Sequence, residues 1–190
     1  MTRSSMPRVA RLSQAIAEGD GISILVEVDD ARSAELAERQ GADGLVAGTG
    51  ANAVRASSQL PLLHRGGTTA ASGVGADAII ISPDLAAWDE AQAFGLEGVV
   101  RIARTSDLER ALDYFDPEIL LLTTDPESDD DALDELLALL HDVPAGKLAI
   151  AELKDATPGD VAELERAGVD AVLVAAGNVD ALVQDEPPDV

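Results

Sequence analysis

Short runs rich in valine, isoleucine and leucine recur along the chain, and between them apolar residues fall at the three-to-four spacing of a helix face. That alternation is the pattern of buried parallel strands joined by amphipathic helices: a strand covered on both faces carries a near-continuous apolar run, whereas a surface helix needs one apolar stripe. The runs occupy residues 22–28, 44–48, 60–64, 78–82, 97–102, 118–123, 148–152 and 171–175, eight predicted strands. Three of them are entered by the same phrase, Gly41-Ala42-Asp43, Gly75-Ala76-Asp77 and Gly168-Val169-Asp170. Each reads as a helix C-cap running straight into a strand, the repeating unit of a βα barrel.

Capping residues place helices between the strands. Asp30 and Gly41 bracket one, Ser82-Pro83-Asp84 opens another that Gly95 ends, Ser106 with Glu109 predicts a capping box, Thr157-Pro158 opens a segment closed by Gly168, and residues 129–141 fill the gap after strand 6. The run Gly66-Gly67-Thr68-Thr69-Ala70-Ala71-Ser72-Gly73 is a poor helix former and predicts a short turn or loop. The fold class expected is a compact (β/α)8 TIM barrel with short loops and a weak or missing helix after strand 3; an open doubly wound sheet with fewer strands is the alternative. Residues 1–20 are expected to form a helical segment over the barrel bottom, 21–183 the barrel, and 184–190 an acidic, frayed tail.

Composition narrows the function classes. Thirty-six acidic residues against 13 basic ones give a formal charge of −23, which repels nucleic acid and anionic membranes. The carboxylates are spread over almost every predicted helix, and only Lys147 and Lys154 among the basic residues are lysine. That pattern suits a salt-rich cytoplasm, since at about 1 M salt the Debye length is roughly 3 Å and self-repulsion is screened. Cysteine is absent, so no disulfide, thiolate nucleophile or Cys-ligated metal is available. No run reaches the ~20 apolar residues of a membrane span, and no signal-peptide core precedes the first strand. A cytoplasmic protein is expected, with neither cofactor nor metal, and with a homo-oligomer or a protein partner left open.

Four stretches carry a specific resemblance: Leu60-Pro61-Leu62-Leu63-His64-Arg65; Gly75 through Ile81; Ala93-Phe94-Gly95-Leu96 on to Leu108-Glu109-Arg110-Ala111-Leu112; and Ala151-Glu152 followed by Thr157-Pro158-Gly159-Asp160-Val161 and Gly168 through Val174. In order and spacing they resemble indole-3-glycerol-phosphate synthase, a ribulose-phosphate-binding barrel of tryptophan biosynthesis and a carbon–carbon lyase. The resemblance covers roughly residues 22–183.

The departures fall on the functional positions that the resemblance implies. Glu27-Val28-Asp29 keeps the glutamate of the family's Glu-Val-Lys phrase and loses the lysine. Arg65 stands where the family has its general-acid lysine, and arginine holds its proton too tightly for that task. Arg101 replaces the fifth-strand catalytic glutamate, Thr123 the sixth-strand asparagine, and Leu153-Lys154 the phosphate-binding Ser-Gly turn after Glu152. Past strand 8, Ala175-Ala176-Gly177-Asn178 replaces the family's Gly-Glu/Ser phrase.

Because side chains alternate along a strand, the family's inward positions place Glu27, Asp29, Arg65, Arg101, Thr123, Glu152 and Lys154 at the barrel mouth. The candidate catalytic residues are Glu27, Glu152 and Arg65; the candidate ligand-binding residues are Arg65, Arg101, Lys154, Thr123 and Asp29. Two readings stand side by side. The cluster is either a pocket for a small phosphorylated or carboxylated anion, without the parent decarboxylating ring closure, or an ion-pair plug in a non-catalytic binding or assembly protein. A third, an active synthase with rearranged residues, has to do without both the general-acid lysine and the fifth-strand glutamate.

His64 is expected to face the helices as a structural residue, and His141 to sit on the surface near a helix end. Gly48-Thr49-Gly50 and Gly66-Gly67-Thr68-Thr69 read as turns, with backbone phosphate cradles as the alternative. Asp125, Glu127 and Asp129-Asp130-Asp131 read as a solvated helix start in preference to a cation site.

Overall fold

A computed structural model describes residues 11–125, 131–177 and 179–182. Eight parallel strands close into a barrel in sequence order: β1 (Ser23–Glu27), β2 (Gly44–Ala47), β3 (Leu62–His64), β4 (Ala78–Ile81), β5 (Glu97–Ile102), β6 (Ile119–Leu122), β7 (Leu148–Glu152) and β8 (Ala171–Ala175), with β8 pairing β1. Helix α1 (Leu12–Ala17) precedes β1. After successive strands come α2 (Ala31–Arg39), α3 (Ala51–Ser57), α4 (Thr68–Val74), α5 (Leu85–Ala93), α6 (Thr105–Tyr114), α7 (Ala132–His141), α8 (Pro158–Ala167) and α9 (Val179–Leu182). The compact (β/α)8 barrel expected from the apolar runs is the fold observed. The expected tail at 184–190 lies outside the described residues, as do Glu127, Asp129, Asp130 and Asn178.

The repeated entry phrase has one structural role. Asp43, ahead of β2, donates its N–H to the carbonyl of Ile24 on β1 and accepts the Ile24 N–H on its carboxylate, at 2.9 and 2.8 Å. Asp77 does the same with Leu62 on β3, at 2.9 and 2.8 Å, and Asp170 with Ala149 on β7, at 3.0 and 2.8 Å. Each aspartate thus extends the ladder by one reciprocal pair at the strand's N-terminal edge, satisfying a backbone donor that the ladder leaves over. Asp77 also holds Arg55 at 3.1 Å, and Arg55 reaches on to the carbonyls of Ser58 and Leu60.

Inside the barrel, side chains stack in layers drawn from alternate strands, as this fold requires. Leu25, Leu63, Val99 and Ile150 come from the odd strands, and Val46, Ile80, Leu121 and Leu173 from the even strands above them. Beneath, Gly44, Ala78 and Ala171 are small, which leaves room for Leu12 and Ile16 of α1 to close the bottom. Ser13 donates to the Glu97 carboxylate and fastens α1 there. The outer strand faces meet the helices in a separate, larger cluster that includes Ile24, Leu45, Leu62, Ile79 and Val172. On that side Trp88 of α5 lies flat on Gly98 of β5, where a Cβ would come within 2.7 Å of the ring, and stacks on Phe115 at 5.8 Å.

Several helix starts differ from expectation. Helix α5 is capped by Asp84, whose carboxylate accepts from Ala87 N–H at 3.0 Å; Ser82 and Pro83 lie in the turn before it. The Ser106/Glu109 box is not formed. Helix α6 begins two residues earlier, and Asp107 reaches back to the N–H groups of Ala103 and Arg104, both at 3.2 Å, because a carboxylate outcompetes a hydroxyl for the free donors of a first turn. The glycine-rich run after β3 is not a loop. Thr68–Val74 forms two turns of helix, ended by Gly75 at φ 68°, short enough that two internal alanines and a buried Thr68 suffice to seat it. The starts of α2 and α8 are as expected, with Asp30 and Ser33, and Thr157 and Asp160, forming reciprocal caps.

The aspartate pairs generate a stability prediction. Asp77→Ala is expected to cost roughly 2 kcal/mol and Asp43→Ala about 1 kcal/mol in urea unfolding, since the first also strands Arg55 and the second sits nearer solvent. Equal, near-zero costs would show that the pairs do not hold the register.

Candidate functional site

The next layer toward the strand C-termini comes again from the odd strands, and it is fully charged: Glu27 on β1, Arg65 just beyond β3, Arg101 on β5 and Glu152 on β7. Strand alternation alone places them there, two residues on from Leu25, Leu63, Val99 and Ile150. The Arg65 Nη2 donates to Glu152 Oε1 at 2.9 Å, and its Nε lies 3.1 Å from Glu27 Oε1. That second approach is a charge contact without an aligned N–H, since Nε is buried and makes no hydrogen bond. Lys154 Nζ then reaches the other Glu27 oxygen at 3.1 Å. The result is a neutral chain, Glu152–Arg65–Glu27–Lys154, whose side chains run from 12% exposed at Glu152 to 57% at Lys154. The intrinsic basicity of a guanidinium makes any arginine at this place unsuited to giving up a proton near neutral pH.

Arg101 is differently placed. Its Nε donates to Thr123 Oγ1 at 3.3 Å, and the Thr123 hydroxyl is 3.4 Å from the Ile102 carbonyl, which it can donate to in turn. No carboxylate pairs with Arg101 among the described residues. It lines a cavity of about 380 Å³ together with Ser82, Pro83, Asp84, Arg104, Asp107 and Arg110. The two carboxylates in that wall are occupied as helix caps, Asp84 on α5 and Asp107 on α6, and Arg104 is paired with Asp125. The cavity therefore presents the Arg101 and Arg110 guanidinium groups beside two carboxylates that cap helices and a third arginine already paired with Asp125.

Arg65, Arg101 and Lys154 do not converge on one cavity; they line separate ones. Asp29 is exposed beyond the end of β1 and joins no ion pair among the described residues. Arg104 and Arg110 escaped the sequence reading because they sit in a loop and a helix, outside the strand alternation that singled out the others. Their signal was the positions that follow β5 in sequence, three and nine residues after Arg101. His64 faces outward as expected, 4% exposed, with Nδ1 unpartnered, and burial pushes its pKa below the ordinary 6.5. His141 is exposed in the last turn of α7. No cluster of potential metal ligands occurs among the described residues, and Asp131 caps α7 through Leu133 N–H at 3.0 Å.

Comparison with known proteins bears on this arrangement. An indole-3-glycerol phosphate synthase from Variovorax paradoxus is 32% identical over 184 residues, which cover 87% of this chain and 64% of that protein. One from a Polaromonas species is 32% identical over 151 residues, covering 72% of this chain and 55% of the relative. The chain is a divergent relative of the indole-3-glycerol phosphate synthase family. It spans somewhat over half the length of these two synthases. No family model matches it.

Among solved structures, the N-acetylmannosamine-6-phosphate 2-epimerase of Clostridium perfringens superposes with a TM-score of 0.72 at 15% identity, over 91% of this chain and 93% of that one. The thiamine phosphate pyrophosphorylase of Pyrococcus furiosus gives 0.67 at 15% identity, over 84% and 88%. Both likenesses establish the barrel fold. Within the charged layer of this chain the two glutamates share Arg65, while Arg101 bonds Thr123. No described helix is long and apolar enough to cross a membrane.

Two predictions test these environments. Arg65→Ala leaves Glu27 and Glu152 facing each other half-buried, with only Lys154 to offset them. Urea unfolding is expected to show a loss of about 1–2 kcal/mol, discounted for partial exposure, and Glu152→Gln in that background should restore part of it. For His64, the unfolded chain takes up a proton as the pH falls through 6.5 while the folded chain resists until its lower native pKa. Stability should therefore decline as the pH falls through 6.5 toward the lower native pKa, and His64→Gln should flatten that part of the slope. An unchanged slope would remove His64 as its source.

Proposed function

We propose that this protein is a divergent indole-3-glycerol-phosphate-synthase-like barrel that binds a small phosphorylated or carboxylated ligand at the Arg101 side of its mouth and does not carry out the parent decarboxylating ring closure. The observation that carries the reading is the contrast between the two arginines of the charged layer. Arg65 is saturated by Glu27 and Glu152, whereas Arg101 is held in place by Thr123 and keeps its guanidinium edge for an anion. Oriented guanidinium donors in a cleft suit the forked oxygens of phosphate and carboxylate. Arg110 is the supporting ligand, Thr123 orients the Arg101 guanidinium, and Asp29 and Lys154 stand at the rim. Glu27 and Glu152, the parent glutamates, are here counter-ions for Arg65, so the proton donor that ring closure requires is missing. The relatives' own name, which specifies a glycerol phosphate, agrees with a phosphate ester as ligand.

The four-residue ion-pair chain favours a second reading, a non-catalytic binding or assembly protein whose mouth is filled by its own charges. A thermal-shift screen of sugar phosphates and carboxylates, at high and constant ionic strength, separates the two. A ligand at ten times its Kd is expected to raise the Tm by about 3–6 °C, and Arg101→Ala to abolish the shift. Absence of any shift would favour the closed mouth. Formation of indole-3-glycerol phosphate by the purified chain, lost in Glu27→Gln or Glu152→Gln, would overturn both in favour of an active synthase.

A further inference from the structure

The two glycine turns that stand apart in the sequence, Gly48-Thr49-Gly50 and Gly66-Gly67-Thr68-Thr69, meet across a single cavity of about 260 Å³. The turn after β2 and the start of α3 bring Gly48, Thr49 and Asn52, the turn after β3 brings Gly66 and Gly67, and His64 and Arg65 form the wall between them. No carboxylate lines this cavity, although the chain has 36 acidic residues. Cavities at the barrel bottom, beside α8, behind Lys154 and at Arg101 each carry at least one. In so acidic a molecule an acid-free polar cavity is where an anion meets the least repulsion.

What the wall offers is mainly donors. His64 is 4% exposed and its Nδ1 has no hydrogen-bond partner, an arrangement that costs free energy unless something else uses the nitrogen. Among the described residues the N–H groups of Thr49, Gly50, Gly66 and Gly67 donate to no backbone acceptor, and the side chains of Thr49 and Asn52 are likewise unspent. Gly66 fits the turn to the ring: a Cβ there would come within 2.7 Å of His64 Cε1. Successive backbone amides beside small residues form a concave anion seat without needing a lysine. The volume, at the lower edge of ligand pockets, suits a phosphate group with a few attached atoms better than a whole sugar phosphate.

We propose that this cavity is a second ligand site, separate from Arg101, which binds a phosphate-sized oxyanion through His64, Asn52, Thr49 and the amides of the two glycine turns. The test is a titration of the 190-residue, ¹⁵N-labelled chain with inorganic phosphate, at ionic strength held constant with chloride. Saturable shifts are expected at Thr49, Gly66, Gly67 and the His64 ring. His64→Phe, which keeps a ring but removes its nitrogens, and Asn52→Ala should each weaken that binding by about tenfold or more. The same resonances should still shift in Arg101→Ala, so that failure of the mouth site and of this one read out separately. If His64→Phe does not fold, judged by circular dichroism, Asn52→Ala decides alone. No saturable shift at these residues, shifts confined to Arg101 and Arg110, or shifts unaltered in the folded variants would each overturn the proposal.

Discussion

Everything at the mouth depends on strand register, and register at the opposite end is held by a carboxylate gripping a backbone N–H. Asp43, Asp77 and Asp170 each lock the entry of an even strand to its odd neighbour through a reciprocal pair of bonds. A slip of one residue would turn every inward side chain outward. With all eight ladders in register, Leu25, Leu63, Val99 and Ile150 share a level, and two residues further along Glu27, Arg65, Arg101 and Glu152 share another. The aspartate bonds fasten three of those ladders at the bottom of the barrel.

That upper layer rests on an interior with no polar side chain between Leu25 and Leu173, so its charges cannot be relieved from below. They are relieved sideways, by each other and by solvent. The outcome is asymmetric, since Arg65 reaches both glutamates while Arg101 finds a threonine. One arginine thus takes up both glutamates of its layer, and the other leaves a cationic edge elsewhere on the mouth.

Much of the fold was legible because the apolar runs carry both strand position and strand face: all eight runs contain a strand, and the inward residues of the charged layer follow from counting by two. The starts of α5 and α6 were less legible, because Ser82, Pro83 and Asp84, and Ser106 and Asp107, each crowd rival caps into a few residues, and only the three-dimensional turn selects the carboxylate. Pairing within the mouth was not legible at all. Whether Arg65 spans to β7 or stays beside β1 depends on the barrel's diameter against the length of one side chain, a comparison absent from the linear pattern. The contributions of Arg104 and Arg110 were missed for a related reason, since the loop and helix after β5 fold back over the strand end that they follow. The two glycine turns were visible separately, but their meeting is a property of adjacent strands.

The chain's four aromatic residues lie close together in sequence, at 88, 94, 114 and 115, and the stacking of Trp88 on Gly98 and Phe115 gathers its indole into one wall of the barrel. Intrinsic fluorescence from this protein is therefore a local reporter. It follows the contact of α5 and α6 with β5 and is remote from β1, β2 and β8. Optical signals and backbone dichroism will coincide during unfolding only insofar as that wall and the rest of the barrel come apart together, so a mismatch between them would measure how far the closed sheet behaves as a single cooperative unit.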